Sequence, residues 1–152
     1  MALQLTSPVF EEGGPIPVKY GYTEQNVNPP LSVNDVPDSA VSLALIMDDP
    51  DAVEPTGKVW NHWVVWNIDS TTEAIPEDWD ASTAGAIEGQ NDYGEQGYGG
   101  PNPPDGEHTY RFALFALETE LDLPRSSQAD PVRSAVADTV LDETMLTGTY
   151  AP

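Results

Sequence analysis

Seven residues, Val41 to Met47 (VSLALIM), constrain this chain most. A nearly continuous apolar run, ended by Asp48-Asp49-Pro50-Asp51, reads as a strand covered on both faces. Val59 to Ile68 (VWNHWVVWNI) has the same character. Strict alternation would put Trp60, His62, Val64, Trp66 and Ile68 on one face and Asn61, Trp63, Val65 and Asn67 on the other. From His108 to about Leu117, alternation places His108, Tyr110, Phe112 and Leu114 together. Strands this apolar need further layers on both sides, so the chain is expected to be mainly β.

Weaker signals fill in the rest. Leu3 and Leu5 alternate with polar neighbours until Ser7-Pro8. Gly13-Gly14-Pro15 reads as a turn, after which Ile16, Val18, Tyr20 and Tyr22 alternate as a half-buried strand. Residues 69–89 read as a long irregular connection, and Leu121-Asp122-Leu123-Pro124 as a short strand. The tail alone looks helical. Asp130 suits an N-cap and Pro131 a first helical position. Val132, Ala135, Val136 and Val140 form an apolar stripe, which predicts a helix to about Leu146 stopped by Gly148. At 152 residues, without a repeat or linker, the chain is expected to be one domain spanning 1–152.

Charge excludes some partners. Asp and Glu number 26 against five Lys and Arg, a formal net charge of −21 with a pI near 4.1. Nucleic acid and anionic membranes, which attract clustered cations, are poor partners. The acids are dispersed with no long run, and lysine is scarce, as in proteins adapted to molar salt. Salt at about 1 M shortens the Debye length to about 3 Å and screens such self-repulsion. No apolar run approaches the roughly 18 residues needed to span a bilayer, so no membrane insertion is expected. MALQLTSPVFEE lacks the charged and apolar regions of an export signal, so a cytoplasmic location is expected. Cysteine is absent, which removes disulfides and thiolate metal sites.

Candidate chemistry gathers at strand ends. The chain has two histidines, His62 and His108, each beside a motif-like stretch. Asp49 and Asp51 flank Pro50, a pattern that also serves ordinary turns. Between Gly89 and Gly106 a Gly/Pro-rich loop could present fixed amides as a shallow anion nest. A carboxylate beside an imidazole favours the imidazolium, which donates to anions, and would move its titration window upward. Two functional classes follow. One is a binding module for a small anion. The other is a hydrolase using Asp49, His62 and His108 as acid/base groups, although no Ser or Cys stands in a nucleophile motif. A metal would need both histidines with Asp49 or Asp51. A structural role with a relic pocket is a third possibility.

Asp49-Pro50-Asp51-Ala52, Trp60-x-His62-Trp63, Gly89-x-Asn91-Asp92 and the run from Gly97-Tyr98-Gly99-Gly100-Pro101 through Pro103-Pro104 to His108-x-Tyr110-x-Phe112 resemble the phosphatidylethanolamine-binding (Raf kinase inhibitor-like) family. The likeness is greatest to its bacterial and archaeal YbhB/YbcL-like branch, and it extends from Ile16-Pro17 to Gly148-Thr149-Tyr150. It implies an antiparallel β-sandwich with Greek-key connections, a C-terminal helix and a pocket at one end of the central sheet. That pocket would take phosphate, acetate or a phosphorylethanolamine-like head group, with no cofactor and no metal. Carried over, its ligand-binding residues would be Asp49, His62, Gly100, Asn102, His108 and Tyr110, and its walls Asp51, Trp60 and Pro104. Some members inhibit kinases or proteases, which implies an unidentified protein partner. Val53 departs from the family's usual proline, Thr109 from its arginine and Val33 from a common tryptophan. Arg111 shares the face of Thr109.

Overall fold

The computed structural model describes residues 2–152. Its strands are β1 (Gln4–Thr6), β2 (Gly14–Pro15), β3 (Leu31–Asn34), β4 (Ser42–Asp49), β5 (Trp60–Asp69), β6 (Ala74–Ile75), β7 (Ile87–Glu88), β8 (His108–Leu117) and β9 (Val140–Tyr150). Helices α1 (Val53–Thr56) and α2 (Ala129–Ala137) and 3-10 turns at Val18–Tyr20 and Pro50–Ala52 complete the chain. The large sheet runs β2-β9-β8-β4-β5-β7, and a smaller sheet, β1-β3-β6, covers one of its faces. All pairings are antiparallel except β2 with β9. The mainly β sandwich follows from the three apolar runs, which become β4, β5 and β8 at its centre.

Every residue of β4 is buried. Leu43, Leu45 and Met47 pack into the inter-sheet core, while Ala44 and Ile46 pack beneath α2. Strand β5 departs from strict alternation. Its pairing with β4 slips by one residue between Val65 and Ile68 and again between Asn61 and Trp63. Each slip is a β-bulge, which turns side chains that alternation would separate onto one face. Trp63 and Ile68 thus share the inter-sheet core, whereas Val64 and Trp66 lie under α2. The expected face of Trp60, His62, Val64, Trp66 and Ile68 is divided.

The tail differs most from expectation. Helix α2 begins at Ala129 with Gln128 at the N-cap, not Asp130, and ends at Ala137. The next residues form β9, hydrogen-bonded along β8 from Leu117↔Val140 to His108↔Tyr150. Val140 continues the helical stripe in sequence, but the open side of β8 decides its state, and the β-branched Thr144, Thr147 and Thr149 suit a strand. Gly148 is a strand residue against Ile16 and Phe10, with no room for a side chain. The expected strand at Ile16–Tyr22 is also absent. Pro15 and Pro17 remove ladder donors, and a 3-10 turn buries Tyr20 and leaves Val18 exposed. Residues 69–89 contain the short β6 and β7, and Leu121–Leu123 is not a strand. Among the described residues no helix is long and apolar enough to cross a membrane.

Candidate functional site

Where β4, β5 and β8 end together, the large sheet holds a small cavity of about 110 Å³. Asp49 comes from the end of β4, Trp60 and His62 from the start of β5, and His108 and Tyr110 from the start of β8. Asn102 and Pro104 of the Gly/Pro loop close it, with Ala52, Thr56 and Tyr93. The cavity therefore unites Asp49, His62, Asn102, His108 and Tyr110 with two of the expected walls.

Gly100 and Asp51 lie outside the lining. The Gly100 N–H donates to Asn26 Oδ1 (2.7 Å) and its carbonyl accepts from the Tyr93 hydroxyl (2.9 Å). A Cβ on Gly100 would collide with the Tyr20 carbonyl and the backbone of Gly21 and Tyr22. Gly100 thus lets two loops meet rather than offering a donor. Its neighbours are engaged too: Gly97 N–H bonds Gly89 O (3.1 Å) and Gly99 N–H bonds His62 O (2.9 Å). These amides form no open anion nest. Asp51 accepts from the Thr109 N–H (2.8 Å) and ties the turn after β4 to β8.

The two histidines are held in opposite ways. His108 Nδ1 lies 2.6 Å from Asp49 Oδ2, and Nε2 lies 2.6 Å from Asp105 Oδ1. Two carboxylates accept only if both nitrogens carry hydrogen. Burial works against that charge and is the largest single influence, but the bonds to Asp49 and Asp105 and the charges of both together outweigh it, raising the His108 pKa above its ordinary value. His108 is then an imidazolium without a free donor. His62 Nδ1 lies 2.7 Å from the Gly99 carbonyl, which fixes the proton on Nδ1. Burial holds the His62 pKa below its ordinary value, against the hydrogen bond to Gly99 and the charge of Asp49. Only His108 follows the expected upward movement; His62 moves down.

Around His62 the site is aromatic. The Tyr110 and Tyr93 rings meet it edge-on, with centroids at 5.3 and 5.7 Å. Tyr22 stacks on Tyr93 at 3.9 Å. Among the described residues the Tyr110 hydroxyl and the Trp60 Nε1 are buried without a hydrogen-bond partner. Burial first, then Asp49, keeps Tyr110 protonated. On Asp49, Oδ1 accepts the Asp51 N–H (2.9 Å) and Oδ2 faces His108, so both oxygens are occupied. Among the described residues no group of three or more His, Cys, Asp or Glu could hold a metal ion.

Sequence reasoning leaves out Asn26, Tyr93 and Asp105. Asp105-Gly106, three residues before His108, is a turn signal that could have pointed to Asp105. Asn26 and Tyr93 act through loops brought near only by folding.

A family model described as phosphatidylethanolamine-binding protein matches residues 6–151. The chain is 45% identical over 152 residues to a UPF0098 protein of Methanothermobacter thermautotrophicus, covering 97% of this chain and 98% of that one. A phosphatidylethanolamine-binding protein homolog of Chlamydia trachomatis, CT736, superposes with a TM-score of 0.89 at 38% identity, covering 98% of this chain and 97% of that one. YbcL of E. coli, described as a member of the mammalian family of the same kind, superposes with a TM-score of 0.90 at 30% identity, covering 99% and 98%.

Proposed function

The chain belongs to the phosphatidylethanolamine-binding protein family, and from that premise we propose that its cavity binds a small anion or phosphoryl head group through proton uptake at His62. Family membership supports a ligand-binding module and does not favour the hydrolase.

The observation that carries this reading is the combination of unpartnered groups around the cavity. Among the described residues the Tyr110 hydroxyl and Trp60 Nε1–H are buried donors with no acceptor. His62, with Nδ1 committed to Gly99, has no hydrogen-bond partner at Nε2 among the described residues. Two donors and one nitrogen that becomes a donor on protonation suit a ligand rich in acceptors. A cavity of about 110 Å³ holds roughly three or four waters at about 30 Å³ each, enough for phosphate or acetate but not a lipid tail. Acid/base turnover fits poorly. Both His108 nitrogens are engaged, and the one hydroxyl-bearing aliphatic side chain in the lining, Thr56, donates to the Ala52 carbonyl (2.6 Å).

Calorimetric titration with inorganic phosphate and with acetate at constant high chloride tests the reading. Because burial lowers the His62 pKa, affinity should strengthen as pH falls below the ordinary imidazole value of about 6.5. Binding should take up protons, measured as heats that vary with buffer ionisation enthalpy. His62→Ala should weaken binding by about 1.5–3 kcal/mol, roughly 10- to 150-fold, for a lost charged hydrogen bond. Affinity indifferent to both pH and His62→Ala would overturn it.

A further inference from the structure

Strand β9 leaves part of one edge unpaired. The Gly13 N–H donates to Thr147 O (2.9 Å) and the Ile16 N–H to Thr149 O (2.8 Å). Thr147 and Thr149 therefore turn their backbone groups away from β8, and the period of two does the same for Glu143 and Met145. Strand β2 covers β9 only at Gly148 and Thr149. Among the described residues no strand pairs with the outer edge before that point. Two carboxylates cap amides on this edge: Glu12 takes the Thr147 N–H (2.9 Å) and Asp142 the Glu143 N–H (2.8 Å). The Met145 N–H and carbonyl and the Glu143 carbonyl pair with no strand among the described residues; β1 lies alongside without a ladder, and Leu3, just before it, donates its N–H to Asp142 Oδ2 (3.0 Å).

Two side chains beside that gap are apolar and uncovered, on either side of the exposed Glu143. Leu141 is 40% exposed and Met145 48%. Met145 stands at the rim of two hollows on opposite faces of the strand. One, about 530 Å³, lies between β1 and β9 and reaches Leu5, Phe10 and Leu146. The other, about 460 Å³, lies against Ala113 and Phe115. A strand added along this edge would exchange main-chain hydrogen bonds with Met145 while its alternate side chains entered the two hollows. The other edge strands, β1, β2, β6 and β7, are only two or three residues long.

Charge selects the occupant. Glu11, Glu12 and Glu143 line the hollows, and no Lys or Arg does. A second copy pairing across a two-fold axis would bring these carboxylates into direct contact with one another, closer than salt can screen. An extended segment alternating apolar residues with Lys or Arg supplies the complement. We propose that the β9 edge around Met145 accepts an extended basic and apolar segment of a protein partner as an added strand, independently of the cavity.

The test is an NMR titration of the 15N-labelled full chain with a blocked peptide of alternating lysine and valine. The expected result is shifts confined to Glu143, Met145 and the Phe115 hollow, with slowed exchange of the Met145 amide. The same peptide N-methylated along one edge should bind at least about tenfold more weakly, having lost main-chain bonds. Met145→Pro removes an outward N–H that β8 does not use and should cause a similar loss. Glu143→Lys, which leaves the backbone intact, should weaken the lysine peptide and favour its glutamate counterpart. Equal binding of the N-methylated peptide, or of a lysine–glycine peptide of equal charge, would overturn the proposal as mere attraction to an acidic surface. A dimer protecting Met145 without peptide would overturn it in favour of a second copy.

Discussion

Replacing Asp48 by Asn should cost this fold several kcal/mol while keeping the side chain's shape. The Asp48 side chain is 10% exposed and faces the side of the sheet opposite Asp49. It accepts from Arg111 Nε (2.7 Å) and Nη2 (2.9 Å) and from Arg133 Nη2 (2.9 Å). Arg133 also bonds Asn61 Oδ1 (2.8 Å), so one arginine fastens α2 to both β4 and β5. The Asp48→Asn side chain keeps one acceptor and turns an amide donor toward guanidinium donors. Breaking a fully buried pair costs about 3–5 kcal/mol. Here Arg111 and Arg133 are 36% and 35% exposed and regain water, which lowers the expectation to about 2–4 kcal/mol. For a chain of this length that is a drop of about 5–15 °C in Tm. Urea unfolding measured at low and molar KCl gives the assay. Because the carboxylate is buried, the loss should survive salt that screens surface pairs such as Lys19–Glu77. Arg133→Ala should cost less in the Asp48→Asn background than in the wild type, since the charge pair is already gone and mainly the bond to Asn61 remains to lose. A loss below about 0.5 kcal/mol, the usual range for a surface change, would refute the reasoning. So would full additivity with Arg133→Ala.

Three further outcomes are expected. Dispersed acids and few cations predict a Tm that rises from low to molar KCl, and a flat or falling curve would count against salt adaptation. Gly100→Ala drives a Cβ into the Tyr20 carbonyl and neighbouring backbone, so stability should fall by about 1–3 kcal/mol with phosphate affinity reduced; a wild-type melt would show that the loops part freely. The histidines should give opposite pH dependences of stability. The raised pKa of His108 contributes stability that is full below about 6.5 and lost as pH rises through the higher folded value, whereas the lowered pKa of His62 contributes stability present above about 6.5 and lost as pH falls. In denaturation series, His108→Gln should flatten the alkaline limb and His62→Gln the acid limb; unchanged limbs would contradict the assignments.

Much of this was legible along the chain because it depends on local composition. The runs at Val41–Met47, Val59–Ile68 and His108–Leu117 are too apolar to lie anywhere but the centre, and they became β4, β5 and β8. Their ends carry Asp49, His62, His108 and Tyr110, so three correct strands bring these four side chains to one place. The Gly/Pro loop was legible as a wall of the site, through Asn102 and Pro104, but not in what its amides do.

What the chain could not declare were relations between distant residues. Val140 to Tyr150 fits a helical stripe until β8 offers an edge, because a strand is stabilised by its partner and not by its own periodicity. Trp63 and Ile68 share a face because β5 carries an extra residue against β4 between Val65 and Ile68, a mismatch that exists only once the strands are paired. The Gly100 amide looks free until Asn26, 74 positions away, takes it. Two histidines alike in sequence also part in charge: His108 meets Asp49 and Asp105, while His62 is buried against the Gly99 carbonyl. An imidazole's proton is decided by desolvation and by the nearest acceptors, and only the tertiary fold supplies either.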